Sequence, residues 1–365
     1  MKIVIATPLY PPEIGGPATY AKLLEEGLPE KGITVELVKF SEVRHLPKVV
    51  RHIAYFWRLR RALRDADAIL ALDPVSVGLP ACAAAQFANK PLVVKIVGDY
   101  AWEQGRQHFG ITTTLDEFVR ERRVPGRVAI FRRIQTYVAS HAKQVIVPSQ
   151  YLENIVAQWG IPRDKIKIIH NAVPLGEPGV VPKAAHRLPR PLVVTAGRLV
   201  PWKGIEGVID AIAGLREQGM PVSLVVAGDG PERARLIGYA EYKLKGEYLF
   251  TSALAHPDML ALLKSADVFV LNSLYEGLSH ILIEALMLGV PTVATRVGGN
   301  AELITDEENG LLVSPGDDSA LTNALARTLS DKKLRVHLSL HAKESANRFS
   351  VPIMLETTAH LLQKL

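Results

Sequence analysis

The sequence predicts an α/β protein of two domains, each built on a parallel sheet, and three observations carry that expectation. Short apolar runs alternate with helical stretches along the chain, the pattern of repeated βα units. The alternation restarts after residues 171–191, a segment with five prolines and two glycines that resists both helix and sheet. A chain of 365 residues that is 48% hydrophobic can also bury a substantial core, and its length points to about two domains.

In the first half, strands are expected at residues 2–7, 34–40, 68–72, 92–97, 144–147 and 165–169. In the second half they are expected at residues 192–196, 222–227, 248–251, 268–271, 292–294 and 310–313. The boundary is placed in the proline-rich segment, giving domains 1–175 and 176–349, with a ligand cleft expected between them. No repeat of fixed period appears.

The single cysteine, Cys82, has no partner for an internal disulfide, and no Cys/His spacing matches a metal site. A reducing cytoplasm is therefore the expected location. The run from Met1 to Pro8 is too short for a signal peptide and ends at proline, so it reads as a first strand. No apolar run is long enough to span a bilayer.

Charge is divided unevenly: residues 1–175 carry 24 Lys and Arg against 16 Asp and Glu, whereas the remainder carries 19 against 21. The excess is local. Between Glu42 and Asp65 no acid occurs, while Arg44, Lys48, Arg51, Arg58, Arg60, Arg61 and Arg64 interleave with Val49, Ile53, Tyr55, Phe56, Trp57 and Leu63. A second basic cluster holds Arg120, Arg122, Arg123, Arg127, Arg132 and Arg133. Basic residues mixed with apolar and aromatic ones at helical spacing suit an anionic membrane surface; the alternative is an ordinary surface helix packed on the sheet. No nucleic-acid motif accompanies the charge, so nucleic acid is not the expected partner.

Five segments carry chemistry. The turn from Pro11 through Glu13, Ile14, Gly15 and Gly16 to Ala18 lies between the first strand and a helix, where glycines let backbone amides approach a phosphate or sugar. It is not the Gly-x-Gly-x-x-Gly dinucleotide fingerprint. After the first strand of the second half come Gly197, Arg198, Lys203 and Gly204, whose two cations can neutralise a diphosphate leaving group; the alternative is a pair of ordinary solvated charges. Gly228-Asp229-Gly230-Pro231 follows the next strand and reads as a turn. Glu276-Gly277-Leu278-Ser279 leads into an apolar helix carrying Glu284, so two carboxylates flank a strand's carboxyl end, where α/β proteins bind ligands. Gly298-Gly299 with Glu302 forms a further glycine-rich turn, Glu302 capping or packing locally.

In this order these segments resemble the retaining glycosyltransferases of family 4, and the resemblance covers nearly the whole chain. The Arg198/Lys203 pair with Glu276 and Glu284 is its specific part; the glycine turns support it. The resemblance implies a GT-B architecture, two Rossmann-like domains with parallel sheets facing across a cleft. It places an UDP- or GDP-type nucleotide sugar mainly on the second domain, as substrate and with no cofactor or metal. Arg198 and Lys203 would bind the donor diphosphate, Glu284 the ribose hydroxyls, and Glu276 would face the donor sugar, with Gly277, Leu278 and Ser279 also binding the donor. Amides near Gly15 and Gly16 would approach the diphosphate, and a last helix at 350–365 would pack back on the first domain.

Two positions depart from the family pattern. Asp99 stands where many relatives place a histidine in contact with the donor sugar. It is expected either to bond hydroxyls near the reacting carbon, with Trp102 as a stacking face, or to cap the following segment. Ser252, in Phe250-Thr251-Ser252, stands where relatives usually have glycine near the nucleotide base.

The implied reaction releases the nucleoside diphosphate while Arg198 and Lys203 stabilise its charge. The acceptor hydroxyl attacks from the same face and its proton passes to the leaving phosphate, without a dedicated protein base. No Asp-x-Asp metal motif accompanies the phosphate-binding candidates. The basic, aromatic first domain points to a hydroxyl acceptor that is lipid-linked or part of a growing glycan at the cytoplasmic membrane face. The competing readings are a transferase with a soluble acceptor, as in glycogen or sucrose synthesis, a GT-B nucleotide-sugar epimerase, and a non-catalytic membrane-binding module.

Overall fold

The computed structural model describes residues 1–13 and 15–365. It divides into two compact units, Met1–Ala172 with Phe349–Leu365, and Val173–Arg348. Each contains one six-stranded, wholly parallel sheet.

The strands of the first unit are β1 Lys2–Thr7, β2 Thr34–Lys39, β3 Ala68–Ala71, β4 Leu92–Lys95, β5 Gln144–Val147 and β6 Ile166–Ile168. They lie in the order β2-β1-β3-β4-β5-β6. All four residues of β3 and of β4 are buried, as expected for central parallel strands covered by helices on both faces. The edge strand β6 instead exposes Lys167, a charge that discourages edge-to-edge pairing. The chain's final helix, Val351–Leu362, belongs to this unit. Its Met354, Leu355, Ala359 and Leu362 join Leu24 and Leu28 over Ile3 and Ile5 of β1 in one core.

The second unit holds β7 Leu192–Ala196, β8 Ser223–Ala227, β9 Tyr248–Thr251, β10 Val268–Leu271, β11 Thr292–Thr295 and β12 Leu311–Val313. Their order is β12-β11-β10-β7-β8-β9. Renumbered from β7 this is the doubly wound 3-2-1-4-5-6 arrangement, in which the direction of winding reverses between β7 and β10. Ligands of such sheets bind outside the strand carboxyl ends at that reversal. Every residue of β7, β8, β10 and β11 is buried.

Strand positions expected from the sequence agree with those observed to within two residues at either end. The proline-rich segment is not free of regular structure, because Lys183–His186 forms one helical turn with Pro182 at its N-cap.

Candidate active site

At the reversal in the second unit, the loops after β7 and β10 are tied by backbone and side-chain bonds. Leu274 N donates to Trp202 O at 2.7 Å, and Asn272 Nδ2 to Gly204 O at 3.0 Å. Gly204 adopts φ 62°, and a Cβ there would lie 2.0 Å from Asn272 O. Only glycine supports this approach, which brings Lys203 to Glu276: Nζ donates to Oε1 at 2.5 Å. Ser273 Oγ donates to the same oxygen at 2.6 Å. Glu276 is 8% exposed, so its charge is held by one cation and one hydroxyl in a place of reduced water access. Arg198, on the β7 loop, is exposed and forms no ion pair among the described residues. A cation in that state at a ligand crevice is available to an anion.

The neighbouring glycine turn supports this loop from behind. Leu199 N donates to Asp229 O at 2.8 Å, and a Cβ on Gly228 would meet Gly197 O at 2.0 Å. Asp229 turns its Oδ1 to Gly230 N at 2.7 Å, the expected turn. Gly299 N bonds Glu276 O at 3.0 Å, so the turn after β11 holds the glutamate loop.

The helix His280–Leu288 starts at Ser279, whose Oγ accepts from Leu282 N. Ser279 thus acts here as an N-cap, satisfying an amide that the helix itself leaves unpaired. Glu284, 7% exposed, accepts from His256 Nε2 at 3.0 Å. The bond to Glu284 raises the His256 pKa above its ordinary value, burial opposing it. The sequence reading missed His256: it lies 28 residues upstream, at the first position of the helix His256–Ser265, and no motif links the two.

The remaining predicted residues belong to the first unit. Gly15 immediately precedes the helix Gly16–Gly27, and its carbonyl accepts from Ala18 N at 3.0 Å; Ile14, in the same turn, lies outside the described residues. Asp99 is 1% exposed and caps the helix Tyr100–His108, accepting from Trp102 N at 2.9 Å. Burial raises its pKa against that bond. Trp102 differs from the expectation of a stacking face: it is 2% exposed, with Nε1 bonded to Thr113 O at 2.9 Å, so protein covers its ring.

Two further groups of this unit carried no sequence signal. Asp73 follows β3, and its Oδ1 accepts from Val75 N at 2.6 Å and Ser76 N at 2.5 Å; enclosure by protein raises its pKa. Lys95 ends β4, 2% exposed, its Nζ 3.9 Å from the Tyr20 ring centroid and, among the described residues, without a hydrogen-bond partner.

Fold and site together define a two-unit Rossmann-type protein with cations and carboxylates gathered at a strand reversal. Residues 14–177 match Glycosyltransferase Family 4, and residues 181–345 match Glycosyl transferases group 1. The lipopolysaccharide core biosynthesis glycosyltransferase LpsE of Rhizobium meliloti is 31% identical over 242 residues, 65% of this chain and 67% of that protein. The α-D-kanosaminyltransferase of Streptomyces kanamyceticus is 33% identical over 156 residues, 42% of this chain and 40% of its own length. Anabaena HepE in complex with UDP-glucose superposes with a TM-score of 0.79 at 20% identity, covering 100% of both chains, a likeness of fold. The chain belongs to glycosyltransferase family 4, and its fold is GT-B. The matched region spans about half the length of the first curated relatives.

Proposed function

We propose that this protein transfers a hexose-type sugar from a nucleoside diphosphate sugar to a hydroxyl acceptor with retention of configuration. The observation that carries the proposal is the Lys203–Glu276 pair at the β7/β10 reversal, on a loop that also carries the exposed Arg198. Two cations and a buried carboxylate there suit a ligand with a diphosphate at one end and hydroxyls at the other. The relatives' names support it: HepE binds UDP-glucose, and LpsE is named for lipopolysaccharide core biosynthesis.

In this reading Arg198 and Lys203 neutralise the charge that grows on the diphosphate as the glycosidic bond breaks. Glu276 orients the donor sugar by accepting from its hydroxyls, and Glu284 does the same for the ribose. The acceptor hydroxyl attacks from the face the diphosphate leaves, and its proton passes to a departing phosphate oxygen. No protein base and no metal takes part in this scheme. The second unit serves as the donor-binding domain and the first as the acceptor side.

The acceptor assigned here is lipid-linked or a growing glycan at the inner membrane face, with the protein peripheral on that surface. Its support is the helix Lys48–Ala62, which leaves Val49, Ile53 and Trp57 74%, 55% and 62% exposed among its basic residues. Among the described residues no helix is long and apolar enough to cross a membrane.

Thermal shifts with UDP-, GDP- and ADP-sugars test the donor, because a ligand of the folded state raises its apparent stability. The nucleotide that the site selects stands out; no shift with any of them overturns the proposal. The product anomer read by NMR tests retention, and inversion overturns it.

A further inference from the structure

The first unit carries a cavity of about 460 Å³ at the amino ends of β4 and β5, lined by Lys90, His141, Lys143 and Lys165 without any carboxylate. The ammonium groups of Lys90 and Lys143 have no bonding partner among the described residues, whereas that of Lys165 donates to Ser140 O at 3.2 Å. The neighbouring Asp164 turns its carboxylate to the Lys165 backbone amide, at 3.1 Å. Lys143 also lines an adjoining cavity of about 290 Å³ that adds Lys167, His360 and Lys364. Lysines near helix carboxyl ends ordinarily balance the macrodipole, and Lys165 does so. Lys90 and Lys143 leave two cations facing a space large enough for a ligand headgroup.

Aromatic side chains neighbour this cavity: Tyr137 packs on the lining His141 with ring centroids 4.1 Å apart, and Phe87 follows the lining Gln86 in the chain. Phe87 is 72% and Tyr137 42% exposed. Gln86, which lines the cavity, donates to the Tyr137 hydroxyl at 3.4 Å. Phe87 packs on Phe56 with ring centroids 5.7 Å apart, and Phe56 on Trp57 at 5.3 Å. Trp57, Phe56 and Phe87 therefore form one aromatic row from the helix Lys48–Ala62 to the helix Gly78–Ala88, whose Gln86 lines the cavity. Aromatic side chains of this kind settle at membrane interfaces, and a phosphate beneath them completes the charge.

We propose that this cavity takes the phosphate of an anionic lipid headgroup while Trp57, Phe87 and Tyr137 enter the interface around it. The inference rests on the peripheral-membrane part of the proposed function and gives it a binding site. Flotation with vesicles of equal parts phosphatidylcholine and phosphatidylglycerol tests it. Replacing Lys90, Lys143 and Lys165 together by Gln is expected to weaken binding about a hundredfold, from about fivefold per lysine. The triple Lys183→Gln, Lys332→Gln and Lys333→Gln, equal in charge but in the other unit, is expected to bind as the wild type.

Should the first triple variant misfold, Lys90→Gln with Lys143→Gln, expected to weaken binding about 25-fold, is compared with the charge-matched Lys332→Gln with Lys333→Gln. Phe87→Ser is expected to weaken vesicle binding yet leave calorimetric binding of inorganic phosphate intact. Vesicle binding unchanged in the cavity variants overturns the site and leaves the membrane reading standing, as does equal weakening in both triples. Phosphate binding lost without any change on vesicles makes the occupant a free phosphate and overturns the lipid assignment. A wild type that ignores these vesicles overturns both.

Discussion

Lys203 Nζ stands 2.5 Å from Glu276 Oε1, joining the loop after β7 to the loop after β10 across 73 residues of sequence. Their side chains are 17% and 10% exposed, so removing one partner strands the other's charge. Lys203→Ala is expected to cost about 3 kcal/mol of stability and to lower turnover by about a hundredfold or more. Adding Glu276→Gln to that variant restores the melting temperature, because the amide oxygen still accepts from Ser273, but not the turnover. Recovery of both would make the pair structural alone. Arg198→Ala separates the roles further: the side chain is exposed, so stability stays within about 0.5 kcal/mol while turnover falls with that of Lys203→Ala.

Glu284 is engaged by His256, which gives donor binding a pH dependence. The His256 pKa lies above 6.5, raised first by its bond to Glu284. The stability this bond contributes is fully present below 6.5 and is lost as pH rises through the raised value. With 42% of the imidazole side chain exposed, that contribution is within about 1 kcal/mol. In the proposed role of Glu284 as ribose contact, the hydroxyls would compete with His256, so calorimetric affinity for the nucleotide is expected to rise over the same interval. His256→Ala binds at every pH as the wild type does at high pH. An affinity flat with pH in the wild type excludes Glu284 as the ribose contact.

The strands were legible because parallel strands covered on both faces are written as unbroken apolar runs, as in Val268-Phe269-Val270-Leu271. The segments bearing Arg198, Lys203, Glu276 and Glu284 were legible because loops at strand carboxyl ends follow directly from the strands. Side-chain partnerships were not. Nothing in the local sequence distinguishes an Asp99 that bonds a sugar from one that caps a helix, and the capping bond to Trp102 N emerges only with the backbone. Trp102 read as an available ring until its burial placed it in the core. The His256–Glu284 contact required two helices to be packed together.

Gly204 is expected to be intolerant of any side chain. Its φ of 62° is left-handed, and a Cβ would meet Asn272 O at 2.0 Å. Gly219, at φ 82° with nothing within 4 Å of a Cβ, carries the conformational penalty alone, about 1–2 kcal/mol on alanine substitution. Thermal denaturation of Gly204→Ala and Gly219→Ala therefore separates the two effects. Gly204→Ala is expected to lose more stability and to displace Lys203 from Glu276, with loss of turnover, whereas Gly219→Ala keeps normal turnover. Equal loss in both variants means that the loop yields to accommodate the methyl.

Lys95 sets a stability slope at alkaline pH. Burial brings its pKa down from 10.5 to about 7, so between those values the unfolded chain binds a proton that the folded chain does not. Stability rises with pH across that interval; below about 7 the ammonium is charged in both states and the cost of burying it is constant. Contact with the Tyr20 ring at 3.9 Å offsets part of that cost, by about 2 kcal/mol at a desolvated site. Lys95→Met removes the charge and nearly preserves the volume, so its melting temperature is expected to exceed the wild type's near pH 7. The gap closes as pH approaches 10. A variant less stable than the wild type throughout would mean that the ammonium–ring contact outweighs desolvation and that Lys95 stays charged in the fold.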